Sequence, residues 1–521
     1  MNNSQSVKYP VGEQSFENLR KNGYLYVDKT RYIETLINGS QYYFLGRPRR
    51  FGKSLFLSTL KCFFEGKRDF FKGLYADSID WDWKEYPVLY LDLNTSRSNS
   101  AKDFIELIHQ HIINWEREYD ITPDVDSYAI RFGQLIRRIS EKTGKGVVIL
   151  VDEYDKPLVN NLHDHEQFEY LRSRLAELYS NFKSCADYIR MVFLTGVSRF
   201  GKLSVFSDLN NITDISIDYA FAGICGISEE ELTDNFQIGI ENLSRSKSVS
   251  KEETLSELKK RYDGYHFSEI SPDMYNPFSL LSVFSKNRYG NYWIESGTPS
   301  LLRNYLKHYR TDLQRLMSVR STASQLSGLD MENMDVVALL YQTGYLTIKR
   351  HDAKNDIYYL GIPNDEVKEG FLSYLLPSYA NLHHENSSIF VFEFREEMEE
   401  GRVEDFMHRL QSMFADVSYE MRMDEERNVQ NAMFLLFRLI GMNVDVEYRT
   451  SEGRIDILVR TDNYVYIIEL KYNHSAEEAL QQIIDKDYTL PWATDARQTI
   501  AIGINYSTEK RTIDSWLSRQ I

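Results

Sequence analysis

The sequence predicts an α/β protein: a parallel sheet with helices on both faces, then a helical accessory region, then a second, smaller α/β region. Three observations predict it. Short apolar runs alternate with helical stretches over residues 1–225, largely helical sequence follows to about residue 385, and from about residue 390 the order becomes helix, hairpin, helix, strand. A chain of 521 residues is also too long for one hydrophobic core. The expected domains are residues 1–225, 226–388 and 389–521.

In the first region the apolar runs are Tyr42-Tyr43-Phe44-Leu45, Val88-Leu89-Tyr90-Leu91, Val147-Val148-Ile149-Leu150-Val151 and Met191-Val192-Phe193-Leu194. Each is short, rich in β-branched or aromatic residues, and ends in Gly, Asp, Asn or Thr, as expected of buried strands whose carboxyl ends present a site. After Gly226, Ser228-Glu229-Glu230-Glu231 supplies a capping box that opens a helix. Further on, Ala338-Leu339-Leu340-Tyr341, Gly344-Tyr345-Leu346-Thr347-Ile348 and Ile357-Tyr358-Tyr359-Leu360 read as helix, strand, turn and strand, the order of a winged-helix module. The last region should hold two long helices between Glu397 and Gly441, then strands through Val444-Asp445-Val446-Glu447, Ile455-Asp456-Ile457-Leu458-Val459 and Tyr464-Val465-Tyr466-Ile467-Ile468-Glu469-Leu470. Ser475 and Glu478 then form a second capping box at the start of a helix.

Forty-two per cent apolar and 13% aromatic residues are enough for the whole chain to fold. Cys62, Cys185 and Cys225 are odd in number and lack metal-ligand spacing, which predicts buried thiols in a reducing compartment. The polar segment Met1–Pro10 has no apolar core of signal length, and no run of about 18 apolar residues occurs, so a cytoplasmic protein without a membrane span is expected. The formal charge of −16 excludes coating nucleic acid by bulk electrostatics and leaves room only for a local basic groove.

The clearest chemical signal is Gly46-Arg47-Pro48-Arg49-Arg50-Phe51-Gly52-Lys53-Ser54, set between an apolar strand and the helical run Leu55–Leu60. Its Gly-Lys-Ser end matches the phosphate-binding loop of nucleotide hydrolases. In such a loop, backbone N–H groups and the helix N-terminus cradle phosphates, with Arg49, Arg50, Phe51 and Gly52 lying in the cradle. Lys53 pairs with the β and γ oxygens, and the Ser54 hydroxyl holds Mg²⁺. The general pattern wants glycine six positions before the lysine, where this sequence has Arg47. A second half of the site follows at Val148-Ile149-Leu150-Val151-Asp152-Glu153, where Asp152 would orient Mg²⁺ and Glu153 would polarise the attacking water. The strand ending in Thr195-Gly196-Val197-Ser198-Arg199 brings small polar groups and an arginine to the same edge. Thr195 or Ser198 would sense the γ-phosphate and Arg199 would stabilise developing charge.

Four segments together, Tyr9-Pro10-Val11-Gly12, Tyr24-Leu25-Tyr26-Val27-Asp28-Lys29-Thr30, Arg47–Ser54 and Asp152-Glu153-Tyr154-Asp155-Lys156-Pro157, resemble the AAA-ATPase-like family related to archaeal ATPases. The resemblance spans roughly the first 230 residues and implies a P-loop fold that binds ATP with Mg²⁺. In that family's own pattern the first glycine is missing. Tyr262-Asp263-Gly264-Tyr265-His266-Phe267 and Tyr275-Asn276-Pro277-Phe278-Ser279 look like its accessory-domain motifs, expected to pack rather than react.

The second chemical signal is Gly453-Arg454-Ile455-Asp456, then Glu469-Leu470-Lys471, with Gln482 on the following helix. Glu469 and Lys471 are two apart on a strand and so share a face. A two-residue turn at Asp462-Asn463 would set Asp456 directly across from Glu469, their Cβ atoms about 5 Å apart, where like charges destabilise a sheet unless a cation joins them. Two carboxylates holding Mg²⁺ beside a lysine that positions water is the arrangement that cleaves phosphodiesters. From about residue 390 the chain resembles the PD-(D/E)xK nuclease domain often joined to this ATPase family. That resemblance maps Asp456, Glu469 and Lys471 to the core motif, Gln482 to a glutamine on the next helix and Glu426 to an acidic residue on an early helix. Asn428 stands where relatives carry histidine.

His383, His384, His163 and His165 lack partner ligands at metal spacing, and Trp81-Asp82-Trp83 reads as a packing anchor. The expected function is an ATPase coupled to a metal-dependent nuclease, with ATP and Mg²⁺ as cofactors, Mn²⁺ as an alternative at the second site, and DNA or RNA as substrate. The competing expectation is a signalling or scaffold ATPase in which the nuclease fold is inactive.

Overall fold

A computed structural model describes residues 7–94, 101–161, 164–198, 212–297, 319–326, 335–375, 387–415, 426–439 and 442–521. By its internal contacts the chain divides into two compact units, Met1–Leu301 with Ser318–Val367 and Leu302–Met317 with Lys368–Ile521. Most of the region expected as an accessory domain therefore belongs to the same unit as the N-terminal sheet.

In the first unit, strands β1 (Tyr42–Gly46), β2 (Val88–Asp92), β3 (Val147–Asp152), β4 (Ile189–Gly196) and β5 (Thr213–Asp214) form a sheet in the order β2-β3-β4-β1-β5. Every pairing is parallel. The four longer strands are those the apolar runs predict. Two residues carry no periodicity, so β5 had no sequence signal. All six residues of β3 are buried, as a parallel strand covered on both faces requires. Register pairs Gly46 with Gly196 and Asp92 with Asp152, which aligns the carboxyl ends of four strands along one edge. Trp81 and Trp83 each lie 5.1 Å from the Phe63 ring, anchoring the segment before β2 to the helix Lys53–Phe64.

The rest of this unit is mainly helical. Strand β6 (Ile227–Ser228) pairs antiparallel with β7 (Met274–Tyr275), and Ser228 with Glu231 makes both halves of the expected capping box. Helices Gln237–Lys247, Lys251–Tyr262 and Pro277–Lys286 enclose an apolar core that includes Leu243, Leu258 and Val283. Tyr9 stacks on Phe236 and Phe284 at 6.1 and 5.7 Å, so the N-terminal segment is tied to this core. Helix Val336–Thr343, then β9 (Thr347–Asp352) and β10 (Ile357–Gly361), follow the expected winged order, and β8 (Val319–Ser321) adds a third strand beside β10.

The second unit contains helices Ser387–Glu399, Val403–Ala415 and Glu426–Leu439 and a mixed sheet. Its strands β11 (Asn443–Arg449), β12 (Arg454–Arg460), β13 (Tyr464–Tyr472), β14 (Gln498–Ser507) and β15 (Thr512–Gln520) lie in sequence order, with only β13 and β14 parallel. Helix Ala476–Asp485 makes that parallel crossover. Strand β15 was not anticipated: it is an edge strand, largely exposed, with a weak apolar alternation. The second capping box is only half made. Ser475 accepts from the Glu478 N–H at 3.1 Å, but the Glu478 carboxylate meets His474 at 3.2 Å instead of reaching back to Ser475. Cys62, Cys185 and Cys225 are free and buried, and among the described residues no helix is long and apolar enough to cross a membrane.

Candidate functional site

The turn from β1 into the helix Lys53–Phe64 places Lys53 almost wholly inside, 5% exposed, where its ammonium donates to the carbonyls of Arg47 at 2.9 Å and Pro48 at 3.1 Å. Burial pushes the Lys53 pKa down, opposed by the nearby Glu153 and Asp152 charges. Arg47 serves the loop from beneath. Its guanidinium, 1% exposed, donates to the carbonyls of Gly46 (2.9 Å), Ser216 (2.5 Å) and Phe221 (3.2 Å) and lies 4.2 Å from the Phe267 ring centroid. A glycine in its place could tie the loop to none of these. Phe51, expected in the phosphate cradle, has its side chain buried against Tyr265 and Phe267 at 4.7 and 5.3 Å. Only its backbone is left to face a ligand.

A cavity of about 310 Å³ opens over the loop. Arg49, Arg50, Gly52, Lys53, Ser54, Glu153 and Ser198 line it, together with the apolar Pro10, Pro277, Phe278 and Leu281. The lining thus offers both charged and apolar groups, as a polyphosphate joined to an aromatic base would need. Asp152 and Thr195 are not among the lining residues. Thr195 donates its hydroxyl to Asp152 at 2.7 Å, and Tyr90 donates to the other Asp152 oxygen at 3.3 Å. Glu153 sits at φ 52°, a conformation unfavourable for a side-chain-bearing residue, and its carboxylate lies 3.3 Å from the Lys156 ammonium. Arg199 lies outside the described residues.

Sequence reasoning missed the organising role of Asp155. This carboxylate is 2% exposed and accepts from the N–H groups of Ser198 at 2.6 Å and Val197 at 3.1 Å. Tyr154 completes the clamp by donating to the Ser198 carbonyl at 2.9 Å. A Cβ at Gly196 would come within 2.7 Å of the Tyr154 ring and 2.8 Å of Asp155, so the close approach requires glycine. The family-like stretch Tyr154-Asp155-Lys156-Pro157 carried the only sequence signal for it. Asn94, Trp293, Ser296 and Thr343 also line the cavity, and nothing in their local sequence marks them.

In the second unit, β12 and β13 pair as a hairpin in the register Ile457 to Ile468, with a two-residue turn at Asp462 and Asn463. Continuing that register sets Asp456 across from Glu469. Asp456 is 7% exposed and accepts from the Leu470 N–H at 2.9 Å. Glu469 is 3% exposed, and burial first, then the Asp456 charge, raise its pKa to about 8. Gln482 joins the remaining groups, donating to one Glu469 oxygen and accepting from Lys471 at 2.5 Å. The physical reason is at Gly503, which pairs with Glu469. A Cβ there would meet the Ala476 carbonyl and Leu480 nitrogen at 2.4 Å, so glycine lets the helix bearing Gln482 lie directly on the sheet. The other Glu469 oxygen is buried and has no hydrogen-bond partner among the described residues, which fits a carboxylate built to meet a cation. Among the described residues no cluster of three or more His, Cys, Asp or Glu gathers as a metal site. Glu426 and Asn428 fall in the first turn of the helix Glu426–Leu439, and their side chains lie outside the described residues, as do His163, His383 and His384. His165 begins the helix His165–Ser184 and is exposed.

Comparison with known proteins adds two family matches. A model described as predicted AAA-ATPase matches residues 10–206, and one for the PD-(D/E)XK nuclease superfamily matches residues 424–516. A protein of Azotobacter chroococcum mcd 1, described as an uncharacterized protein in the vnfD 5' region, is 33% identical over 525 residues, covering 97% of this chain and 98% of its own length.

Proposed function

Since this chain belongs to the predicted AAA-ATPase family and ends in a domain of the PD-(D/E)XK nuclease superfamily, we propose that it hydrolyses ATP and that its nucleotide state gates metal-dependent cleavage of nucleic acid. The observation that carries the first half is the cavity that gathers Lys53, Ser54, Glu153 and Ser198 at the carboxyl edge of a parallel sheet. Lys53 would exchange its loop carbonyls for the β and γ oxygens, and Arg49 and Arg50 would add positive charge. Ser54 and Asp152 would hold Mg²⁺, which when bound neutralises charge on the phosphates. Glu153 would polarise the water, with Lys156 and the strained backbone fixing its carboxylate.

At the second site Asp456 and Glu469 would hold Mg²⁺ or Mn²⁺, which when bound lowers the charge repulsion between them and activates water. Lys471 would orient that water against the scissile phosphate, its ammonium kept in place by Gln482. Arg454, paired with Glu447 at 3.1 Å, supplies a further positive group near Glu469.

The test is incubation of the full chain and its Asp456→Ala variant with ATP, Mg²⁺ or Mn²⁺ and a panel of single- and double-stranded DNA and RNA. Cleavage lost in the variant, with ATP hydrolysis kept, is the expected result. ATP hydrolysis with no cleavage of any substrate by the wild-type chain would leave the signalling-switch reading in its place.

A further inference from the structure

The candidate phosphate loop is held by more than its own strand and helix. The indole N–H of Trp293 donates to the Arg49 carbonyl at 3.0 Å, and the Arg50 guanidinium lies 4.8 Å from the Phe278 ring centroid. Both aromatic residues come from the helical part of the unit, more than 200 positions along the chain from the loop they touch.

Trp293 is itself fixed. Its backbone N–H donates to one oxygen of Glu366 at 2.8 Å, and the other oxygen of Glu366 accepts the Ser279 hydroxyl at 2.7 Å. Glu366 is 1% exposed, and its carboxylate binds together helix Pro277–Lys286, the turn Tyr292–Glu295 and the start of helix Asp365–Leu375. The Tyr345 ring, 5.2 Å away, packs against the indole. A buried carboxylate that loses a hydrogen-bond partner is costly, so these contacts stand or fall as a set.

The consequence runs through one peptide plane. The Arg49 carbonyl and the Arg50 N–H belong to the same planar unit, so fixing one fixes the direction of the other. Arg50 is held at φ 68°, outside the region a residue with a side chain prefers, which is where such external support is needed. Its N–H is one of the backbone donors that a phosphate loop offers to an anion.

We propose that Trp293 and Glu366 are positioning residues for the nucleotide: Glu366 sets Trp293, and the Trp293 indole N–H sets the Arg49–Arg50 peptide in its phosphate-facing orientation. The inference rests on the loop being a nucleotide site. It makes the helical region part of that site's construction, acting through backbone groups.

The test compares ATP affinity and steady-state hydrolysis of the full chain with those of Trp293→Phe, Glu366→Ala, Glu366→Gln and Lys53→Ala. Phenylalanine keeps a ring against Tyr345 while removing the indole donor and part of the ring area. Trp293→Phe and Glu366→Ala should each weaken ATP binding about tenfold, the scale of one lost hydrogen bond, raising KM while kcat stays within about threefold. Glutamine at 366 can accept from Trp293 and donate to Ser279, so Glu366→Gln should recover most of the affinity that alanine loses. Wild-type affinity in a folded Trp293→Phe, or Glu366→Gln as weak as Glu366→Ala, overturns the proposal. Lys53→Ala separates the two levels. If it binds ATP as well as the wild-type chain does, the nucleotide reading of the loop fails, and this inference falls with it.

Discussion

Replacing Asp155 by alanine should release the segment Val197–Ser198 that it clamps. The carboxylate accepts from a buried backbone N–H at Ser198, 2.6 Å away, and a half-buried one at Val197, 3.1 Å away, and alanine would leave both without that acceptor. Hydrogen bonds to a charged acceptor contribute about 1.5–3 kcal/mol each. Part of that is offset in the native protein, because burial raises the Asp155 pKa and so disfavours the charged form. A net loss of about 2–3 kcal/mol is reasonable, which makes local opening about 30–150 times more frequent. Amide hydrogen exchange on the full chain reads this directly. The Val197 and Ser198 amides should exchange faster by that factor, while Phe193 and Leu194 in the middle of the sheet should not change. Unchanged protection at Val197 and Ser198 in the folded variant would refute the clamp.

Three further outcomes follow from the same geometry. Glu153→Gln should bind ATP normally yet turn it over about 10²–10⁴ times more slowly, and a normal rate would mean another residue polarises the water. Lys471→Ala should abolish cleavage while leaving Mn²⁺ binding at Asp456 and Glu469 measurable by calorimetry. Loss of metal binding together with cleavage would argue against the assigned role. Burial raises the Asp263 pKa to about 6, with the Asp273 charge adding, the Gly264 N–H and Lys259 opposing, and Glu229 adding a little. Because the folded value lies above the ordinary one, its contribution to stability is full at pH below about 4 and fades as pH rises through 6. Asp263→Asn should therefore gain on the wild-type chain between those limits, by at most about 3 kcal/mol, and urea midpoints with the same gap at both pH values would contradict this.

What the sequence revealed was what local pattern controls. The four longer parallel strands are largely buried apolar runs, and a buried strand has to show one in its own residues. The hairpin register at Asp456 and Glu469 was legible because a two-residue turn leaves a single pairing. Arg47, Phe51 and Thr195 were harder to read for a shared reason. Their partners Phe267, Tyr265 and Asp152 are remote in sequence, and only tertiary packing turns an arginine under a loop or a threonine toward a carboxylate. Asp155 and Trp293 act on backbone N–H and carbonyl groups, which have no sequence signature at all. Strand β5 was too short to show a period, and β15, exposed along most of its length, lacked the alternation of a half-buried strand.

The central claim is that the nucleotide held at Lys53 controls cleavage at Asp456 and Glu469. The most direct measurement is the cleavage rate of one nucleic acid substrate in Mg²⁺ or Mn²⁺, with and without ATP, for the wild-type chain and for Lys53→Ala. ATP should change the wild-type rate by about tenfold or more and leave the Lys53→Ala rate where it was. Cleavage that proceeds at one rate in all four conditions would contradict it, because the two sites would then work independently.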